Sequence, residues 1–502
     1  MTTLNDYRAE RLRKLTEIRE LGIDPYPAKS YRNIKISTIL NHFTEQEGQT
    51  VCAAGRIVAI RSFGKIAFVK IRDYFGEIQI FMQKTDDVTP GYFGIKQLKL
   101  LDTGDFIEVK GTVGKSSTGE ISIFSNEVRL LTKALRPLPG YDGLTNKEER
   151  YRRRYVDMNV NPEVRERLVR RSKFWQATRD FMNSHGFIEI NTPVLEHTTG
   201  GADANPFVTH MDALDEDYYL RISQELPLKR LLGGGFEKVY DIGPRFRNEG
   251  VDDEHLPEHI AFESYAAYEN YEDGMELYEA MIKYVAQETW DTLQFNVGGF
   301  EINLDQEWPR IKYADLLMEK FGIDVFNPDR KQIQAVIARE YDADKFNPDD
   351  KADRAKIKRE LLSDEISTPR LIDWAWKMIR KTSAGPYWLI EEPLSLSPLA
   401  KKSDENPLVT QRFHPIIAGT EMGNGYSELN DPLDQLARFE EQQAMRDNGD
   451  DEAQMLDMDF VEMLEYGMPP ACGWGNSERN FWLLEGVSGR EAVPFPIIKR
   501  EK

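Results

Sequence analysis

The sequence predicts an α+β fold, with a small β-barrel in the first third of the chain and a larger mixed body after it. Residues from about 50 to 135 form short β-rich runs separated by turn residues. From Pro162 onward, helical patterns alternate with strand-like runs, which is typical of an α+β body. The 502 residues, of which 40 % are apolar, suffice for about three domains with large cores.

The first element is a helix, because Leu12, Leu15 and Ile18 recur at helical spacing. We expect an N-terminal helical segment over residues 1–48. Its basic cluster is consistent both with a solvated helix face and with contacts to phosphates, and both readings stay open. The cluster consists of Arg8, Arg11, Arg13, Lys14 and Arg19.

Five strands are expected over residues 49–135, from VCAAGRIVAIRSFG to GEISIFSNEVRLL. Five closely spaced strands favour an OB-like barrel, which binds oligonucleotides on its open face. Residues 136–165 are expected to form a linker, since KALRPLPGYDGLTNKEERYRRRY contains two prolines and two glycines. The remaining residues, 166–502, form the mixed body. Within it, the range from about 310 to 395 is mostly helical and rich in charge, so we expect an insertion there.

Composition and motifs exclude several classes of protein. A net charge of −20 argues against coating nucleic acid by bulk electrostatics, although local basic surfaces can still bind it. The apolar runs are shorter than the roughly 18 residues of a membrane span, and the first residues lack a secretory signal, so we expect a cytoplasmic protein without a membrane partner. The GKS triplet at residues 114–116 lacks the leading glycine of a phosphate loop.

Charged residues concentrate on two strand-like runs. Glu263 and Tyr265 are two residues apart and therefore share one face of a strand, close in sequence to Arg247. An internal salt-bridge network would explain an isolated pair of this kind. The second run is harder to explain in that way, because burying carboxylates beside an amide and a phenol is costly unless a cation fills the space. Its residues share a face as well: Asn424, Tyr426 and Glu428.

These segments resemble the class II lysyl-tRNA synthetases over nearly the whole chain. The resemblance rests on LLTKALRPLP, GFIEINTPVL, FRNEG with the following His255, GNGYSELNDPLDQ and REAVPFPIIKR, in the order of that family. It implies an OB-fold that binds the anticodon, followed by a catalytic domain built on an antiparallel sheet flanked by helices. It also implies a homodimer formed through residues 186–193.

The activity implied by the resemblance is that of a lysine–tRNA ligase. Such an enzyme activates L-lysine with ATP to lysyl adenylate, releases pyrophosphate, and transfers the lysyl group to the 3′ end of tRNA(Lys), with Mg²⁺ as cofactor. Arg247 would touch the α-phosphate and the substrate carboxylate, and Arg479 would clamp the γ-phosphate. Glu428 and Tyr265 would receive the ε-ammonium group of lysine.

The resemblance also implies four sets of binding residues. The ATP set is Arg247, Glu249, His255, His259, Glu421 and Arg479. The lysine set is Gly201, Glu225, Arg247, Glu263, Tyr265, Asn424, Tyr426 and Glu428. The anticodon set is Arg61, Phe68, Gln79 and Glu120, with Phe68 stacking on a base. The metal set is Glu421 and His414.

Three positions depart from the family pattern. His414 stands where a metal-binding carboxylate is expected, and imidazole is a poor ligand for Mg²⁺. His259 replaces the aromatic residue that would stack on adenine, which predicts either a weaker or a pH-sensitive stack. The glycine-rich segment from Gly473 to Arg479 is one residue short and lacks its last glycine, which puts close backbone approach to ATP in question.

Two other functions fit parts of the sequence. A relative that lysylates a protein would lack the anticodon barrel that this chain contains. A catalytically silent tRNA-binding paralogue would explain the three departures. The retention of Arg247, Glu421 and Arg479 argues against a silent protein.

Overall fold

The computed structural model describes residues 4–139, 144–202, 204–250, 255–341, 359, 361–363, 366–447 and 454–499. The chain divides into two compact units, Met1–Asn161 and Pro162–Lys502. In the described ranges, no helix combines the length and the apolar character that crossing a membrane requires.

The helices of the first unit flank its barrel at both ends of the sequence. Three precede the barrel and two follow it: α1 (Leu4–Glu20), α2 (Ile36–Asn41), α3 (Phe43–Gln46), α4 (Lys147–Arg152) and α5 (Arg154–Val160). Arg11 and Lys14 of the basic cluster on α1 make contacts that stabilise the first unit. Arg11 is buried and donates to three backbone carbonyls between residues 103 and 136, and the Lys14 ammonium lies 2.7 Å from Asp102.

A five-stranded ring forms the barrel, as the sequence predicts. The strands are β1 (Thr50–Phe63), β2 (Ile66–Arg72), β3 (Glu77–Gln83), β4 (Phe106–Lys115), β5 (Ile121–Phe124) and β6 (Arg129–Thr132). The ring runs β1-β2-β3-β5-β4 and closes because β1 also pairs with β4, while β6 adds to β4 outside the ring. Ala67, Val69 and Ile71 of β2 alternate into the core with the period of two that a strand dictates.

The range 136–165, expected to be a linker, contains folded helices instead. Helices α4 and α5 lie within it, and the division between the two units falls after Asn161. An acidic residue among the arginines explains why these helices form. Asp157 is buried and pairs with Arg150 and Arg154, each at 2.9 Å.

The second unit contains the remaining helices and strands. Its helices are α6 (Pro162–Ser184), α7 (Glu225–Gly233), α8 (Tyr271–Trp290), α9 (Tyr313–Phe321), α10 (Arg330–Glu340), α11 (Thr368–Arg380), α12 (Pro432–Asp447), α13 (Met458–Tyr466), α14 (Arg479–Glu485) and α15 (Gly489–Ala492). Its first strands are β7 (Ile188–Glu189), β8 (Leu195–Glu196), β9 (Val208–Met211), β10 (Glu216–Leu220), β11 (Lys238–Phe246), β12 (Glu258–Ala267), β13 (Gln294–Val297) and β14 (Phe300–Asn303). Its later strands are β15 (Arg310–Lys312), β16 (Tyr387–Ile390), β17 (Arg412–Ile417), β18 (Thr420–Glu421), β19 (Asn424–Ser427) and β20 (Ala471–Ser477).

A nine-stranded sheet is the centre of this unit. Its order is β15-β16-β17-β19-β20-β12-β11-β7, with β18 beside β17. The central pairings are antiparallel, which confirms the predicted sheet. On one face, Phe262, Phe413 and Trp474 pack in a core with Tyr278 of α8. Successive strand residues point to opposite faces, so Glu263 and Tyr265 lie on the other face.

The ends of the range 310–395 belong to this sheet, contrary to the expected insertion. Strand β15 pairs with β16, and β16 pairs with β17. The described helices between them are α9, α10 and α11. They share a separate apolar core that includes Leu317, Ile337 and Trp376.

Candidate active site

A cavity of about 550 Å³ lies on the face of the sheet opposite α8. Its walls come from β11, β12, β19 and β20, from the start of α7 and α14, and from the loops that follow β11. Except for Glu428 and His414, every catalytic-domain residue that the sequence assigns to a substrate lines this cavity. Glu428 and His414 are buried behind its wall. The structure therefore brings the predicted lysine-binding and ATP-binding residues together at one cavity.

Two glycines of β20 make room for the polar side chains of the neighbouring strands. Gly473 lies between Tyr265 and Tyr426 in the sheet, and Gly475 lies between Glu263 and Asn424. A β-carbon at Gly473 would overlap the Tyr265 ring and the Glu428 carboxylate. The shortened glycine-rich segment from Gly473 to Arg479 thus keeps the two glycines that leave room for Glu263 and Tyr265. At the former position of the third, the Ser477 hydroxyl accepts a hydrogen bond from the backbone of Arg479 at 3.3 Å.

Three buried carboxylates lie at the acidic end of the cavity: Glu225 and Glu263 line it, and Glu428 lies behind its wall. Glu263 accepts hydrogen bonds from Ser223 at 2.8 Å and from the Tyr265 hydroxyl at 3.3 Å. Burial raises the pKa of both Glu263 and Glu428. Burial also raises the pKa of Tyr265 well above its usual value, so its hydroxyl stays protonated. This end of the cavity is suited to a desolvated cation.

Lys229 is a resident cation at this end, and the sequence assigns it no role. Its ammonium group is fully buried, lies 2.5 Å from Glu225 Oε1 and contacts Glu428 Oε2. Burial would lower the pKa of Lys229, but the two carboxylates raise it above its ordinary value. The second oxygen of Glu428, Oε1, accepts no hydrogen bond from any described residue and lies beside Gly473.

Four guanidinium groups line the cavity, from Arg245, Arg247, Arg412 and Arg479, and that of Arg412 is paired with Glu392. Arg245 is a further residue that the sequence did not single out. It lies 3.4 Å from Glu263, and burial lowers the pKa of its guanidinium to about 10. Burial and the nearby arginines lower the pKa of His259 well below its usual value. The His259 ring is therefore neutral near pH 7, which removes the expected pH sensitivity of a stack in that range.

The expected metal site at Glu421 and His414 does not fit a divalent cation. Glu421 Oε1 accepts a hydrogen bond from Trp376 Nε1 at 2.9 Å and pairs with Arg380 at 2.9 Å. His414 lies between two carboxylates, 3.8 Å from Glu421 and 3.5 Å from Glu392. Burial raises the pKa of Glu421, but Arg380 and its other neighbours lower it to about 2. Positive charge from α11 already compensates this carboxylate. Across the described ranges, no group of three His, Cys, Asp or Glu side chains could hold a metal ion.

The anticodon residues predicted in the first unit lie on or beside the outer face of the barrel. Arg61 and Phe68 are paired across β1 and β2. Phe68 is half-buried on the face opposite Ala67 and Val69, so it is not a core residue. Gln79 donates to Ser122 Oγ at 3.0 Å. Phe63 and Phe81 flank Phe68, with ring centroids at 6.3 and 5.4 Å, and Glu120 is exposed in the loop before β5.

Two of the missed residues carried a signal in the sequence. Lys229 follows Glu225 by four residues on one helix, the spacing of an ion pair. Arg245 precedes Arg247 by two residues, which places both on one face of an extended segment. Arg380 carried no such signal, because it reaches Glu421 from a distant helix.

The fold is that of the class II tRNA synthetases. The family described as tRNA synthetases class II (D, K and N) matches residues 146–499, and the OB-fold nucleic acid binding domain matches residues 51–131. The lysine–tRNA ligase of Fervidobacterium nodosum is 42 % identical over 506 residues, covering 99 % of this chain and 95 % of the relative. Those of Thermotoga maritima and Listeria monocytogenes are each 40 % identical, covering 99 % of this chain and 97 % and 98 % of the relatives. The chain belongs to the lysine–tRNA ligase family.

Proposed function

We propose that this chain activates L-lysine with ATP to lysyl adenylate, releases pyrophosphate, and transfers the lysyl group to the 3′ end of tRNA(Lys). The proposal rests on one observation: a single cavity has guanidinium groups at one end and carboxylates at the other. Along β12, His259 lies at the guanidinium end and Tyr265 at the acidic end. At a strand rise of roughly 3.3 Å per residue, they are about 20 Å apart, enough for an extended aminoacyl adenylate.

Lysine binds at the acidic end. Its ε-ammonium pairs with Glu428 Oε1 and the Tyr265 oxygen; Glu428 Oε1 and the Tyr265 ring both lie beside Gly473. Its α-ammonium lies near Glu225, Glu263 and the backbone of Gly201, with Asn424 and Tyr426 completing the wall. An uncharged competitor would leave buried carboxylates unpaired, so the site rejects it strongly.

The chemistry depends on neutralising charge at the guanidinium end. An oxygen of the lysine carboxylate attacks the α-phosphorus, a new bond to that oxygen forms, and the bond to the leaving pyrophosphate breaks. Both reactants are anions, so fixed cations must hold them together. Arg247 binds the carboxylate and the α-phosphate, and Arg479 holds the γ-phosphate. Glu249, His255 and the neutral ring of His259 orient the nucleotide. Glu421 is paired with Arg380 and therefore does not hold a metal ion.

The transfer step requires tRNA(Lys), whose anticodon the barrel binds. Phe68 is flanked by two aromatic rings on the outer face and supplies a stacking surface for a base. Arg61, Gln79 and Glu120 read its edges. We expect the reaction in the cytoplasm, where ATP and tRNA are found.

A homodimer through residues 186–193 remains part of the proposal. Its support is the position of β7, which occupies an edge of the main sheet and carries the exposed side chain of Ile188. Exposed sheet edges are suited to pairing with a second chain. Sedimentation of the wild type and of Ile188→Asp tests this, because a monomeric wild type contradicts the dimer.

Lysine-dependent exchange of pyrophosphate into ATP tests the activity. The wild type should exchange with lysine alone among the amino acids. Arg247→Ala should lose at least about 100-fold in kcat/KM, because it removes a charge contact made at the reacting phosphate. Arg310→Ala, which breaks an exposed ion pair with Glu272, is the matched control and should behave as wild type. No exchange with any amino acid, with tRNA binding intact, would instead indicate a silent tRNA-binding protein.

A further inference from the structure

The acidic end of the cavity contains an ammonium group of the protein's own. Lys229 lies one helical turn after Glu225 on α7, and its side chain is completely buried. Its ammonium group bridges Glu225 Oε1 and Glu428 Oε2. It also lies over three aromatic rings, at 5.3 Å from the Tyr426 centroid, 5.9 Å from Phe460 and 6.0 Å from Tyr265. These rings hold the ammonium group in place and exclude water from it.

The contact with Lys229 leaves the two oxygens of the Glu428 carboxylate in different surroundings. Oε2 is in ion-pair contact with the Lys229 ammonium, and Oε1 lies beside Gly473. Neither oxygen accepts a geometric hydrogen bond from a described residue, so the ion pair is what distinguishes them. Glu225 Oε1 is fixed in the same way, since it accepts from the Tyr426 hydroxyl at 2.5 Å as well as from Lys229. Each carboxylate is therefore anchored through one oxygen.

Without substrate, the carboxylates at the acidic end outnumber the protein's own cations there. Three carboxylates, those of Glu225, Glu263 and Glu428, share two resident cations, Lys229 and Arg245. One negative charge is left over. The excess negative charge attracts the two ammonium groups of lysine to this end, while the lysine carboxylate binds Arg247 at the guanidinium end. Without Lys229, two neighbouring buried carboxylates would repel each other and one would take up a proton instead.

We propose that Lys229 is a positioning residue that determines lysine specificity: it holds the carboxylates of Glu225 and Glu428 apart and in fixed orientations, so that the second oxygen of Glu428 can receive the substrate's ε-ammonium. Lys229 does not touch the substrate. Its effect reaches the substrate through the two carboxylates that it anchors. The proposal rests on the proposed function, because it names the specificity of that same site.

Lys229→Met tests the charge, since methionine keeps most of the length of the side chain and removes the ammonium group. We expect the KM for lysine in pyrophosphate exchange to rise at least about 30-fold while the KM for ATP changes by less than about twofold. A merely structural role would change both constants together. Lys133→Met is the matched control. Lys133 is also fully buried and bridges two carboxylates, Asp102 and Asp105, but in the barrel unit. It should leave both constants unchanged.

Lys229→Ala supplies a second readout that does not depend on the methionine variant folding. The substitution removes a group equivalent to propylammonium. Added propylammonium should restore lysine-dependent exchange, and should restore folding if the variant needs it, whereas 1-propanol should do neither. An unchanged KM for lysine in Lys229→Met, or equal rescue by propanol and propylammonium, would overturn the proposal. Exchange by the wild type is measured in the same assay, so a failure of the proposed function would be seen separately.

Discussion

Gly473→Ala is predicted to weaken lysine binding while leaving the nucleotide end of the site intact. The added β-carbon would overlap both the Tyr265 ring and Glu428 Oε1. Neither neighbour can retreat, because Tyr265 is 3 % and Glu428 1 % exposed. Overpacking of a well-packed site costs about 1–3 kcal/mol, so we expect the KM for lysine to rise roughly 5- to 150-fold. The assay is lysine-dependent pyrophosphate exchange with lysine and ATP varied in turn.

Gly250→Ala is the matched control for this prediction. Gly250 lines the same cavity, but a β-carbon there would meet no atom of a described residue within 4 Å. Its KM for lysine should equal that of the wild type. A wild-type KM for lysine in Gly473→Ala would refute the reasoning, because the side chain would then fit where the structure leaves no space.

The remaining predictions concern Glu421 and Phe68. The pKa of Glu421 falls from 4.5 to about 2 on folding, so its stabilisation is present above pH 4.5 and is lost as the pH falls towards 2. Relative to wild type, Glu421→Gln should lose about 2 kcal/mol of unfolding free energy at pH 7, less than the full shift because the side chain is 29 % exposed, and almost none near pH 2. The same variant should leave the Mg²⁺ concentration for half-maximal exchange unchanged, since Arg380 already neutralises this carboxylate; a marked increase would show that Glu421 binds the metal. Phe68→Ala should raise the KM for tRNA about 5- to 150-fold without changing pyrophosphate exchange, whereas a loss of barrel stability equal to that of Val69→Ala would mean that Phe68 is a core residue.

The part of the site that lies on regular elements could be predicted from the sequence. Glu263 and Tyr265 share a face because strands repeat every two residues, and Arg479 begins a helix as its glycine-rich approach indicates. The five strands of the barrel follow from the same local patterns, whereas the antiparallel sheet was expected from the family resemblance. The shared face, the helix start and the barrel strands depend on spacing along the chain, which the sequence displays directly.

The surroundings of Glu421 could not be predicted, because they are formed by contacts between segments that are distant in sequence. The loss of a metal-binding carboxylate at His414 is visible in the sequence, but the cation that compensates Glu421 is not. Arg380 and Trp376 reach it from α11, some 40 residues earlier in the chain. The range containing α11 also reads as an insertion, because its strands β15 and β16 are only three and four residues long. Short strands carry too little periodicity to be distinguished from the helices around them.

The central claim is that one cavity receives the ammonium group of lysine at its acidic end and the phosphates at its guanidinium end. The most direct measurement is a crystal structure with a lysyl-adenylate analogue in which a sulfamate replaces the phosphate. The account predicts the ε-ammonium within about 3 Å of Glu428 Oε1 and the sulfamate beside Arg247. An analogue whose lysyl group lies away from Glu428, or outside this cavity, would contradict the account.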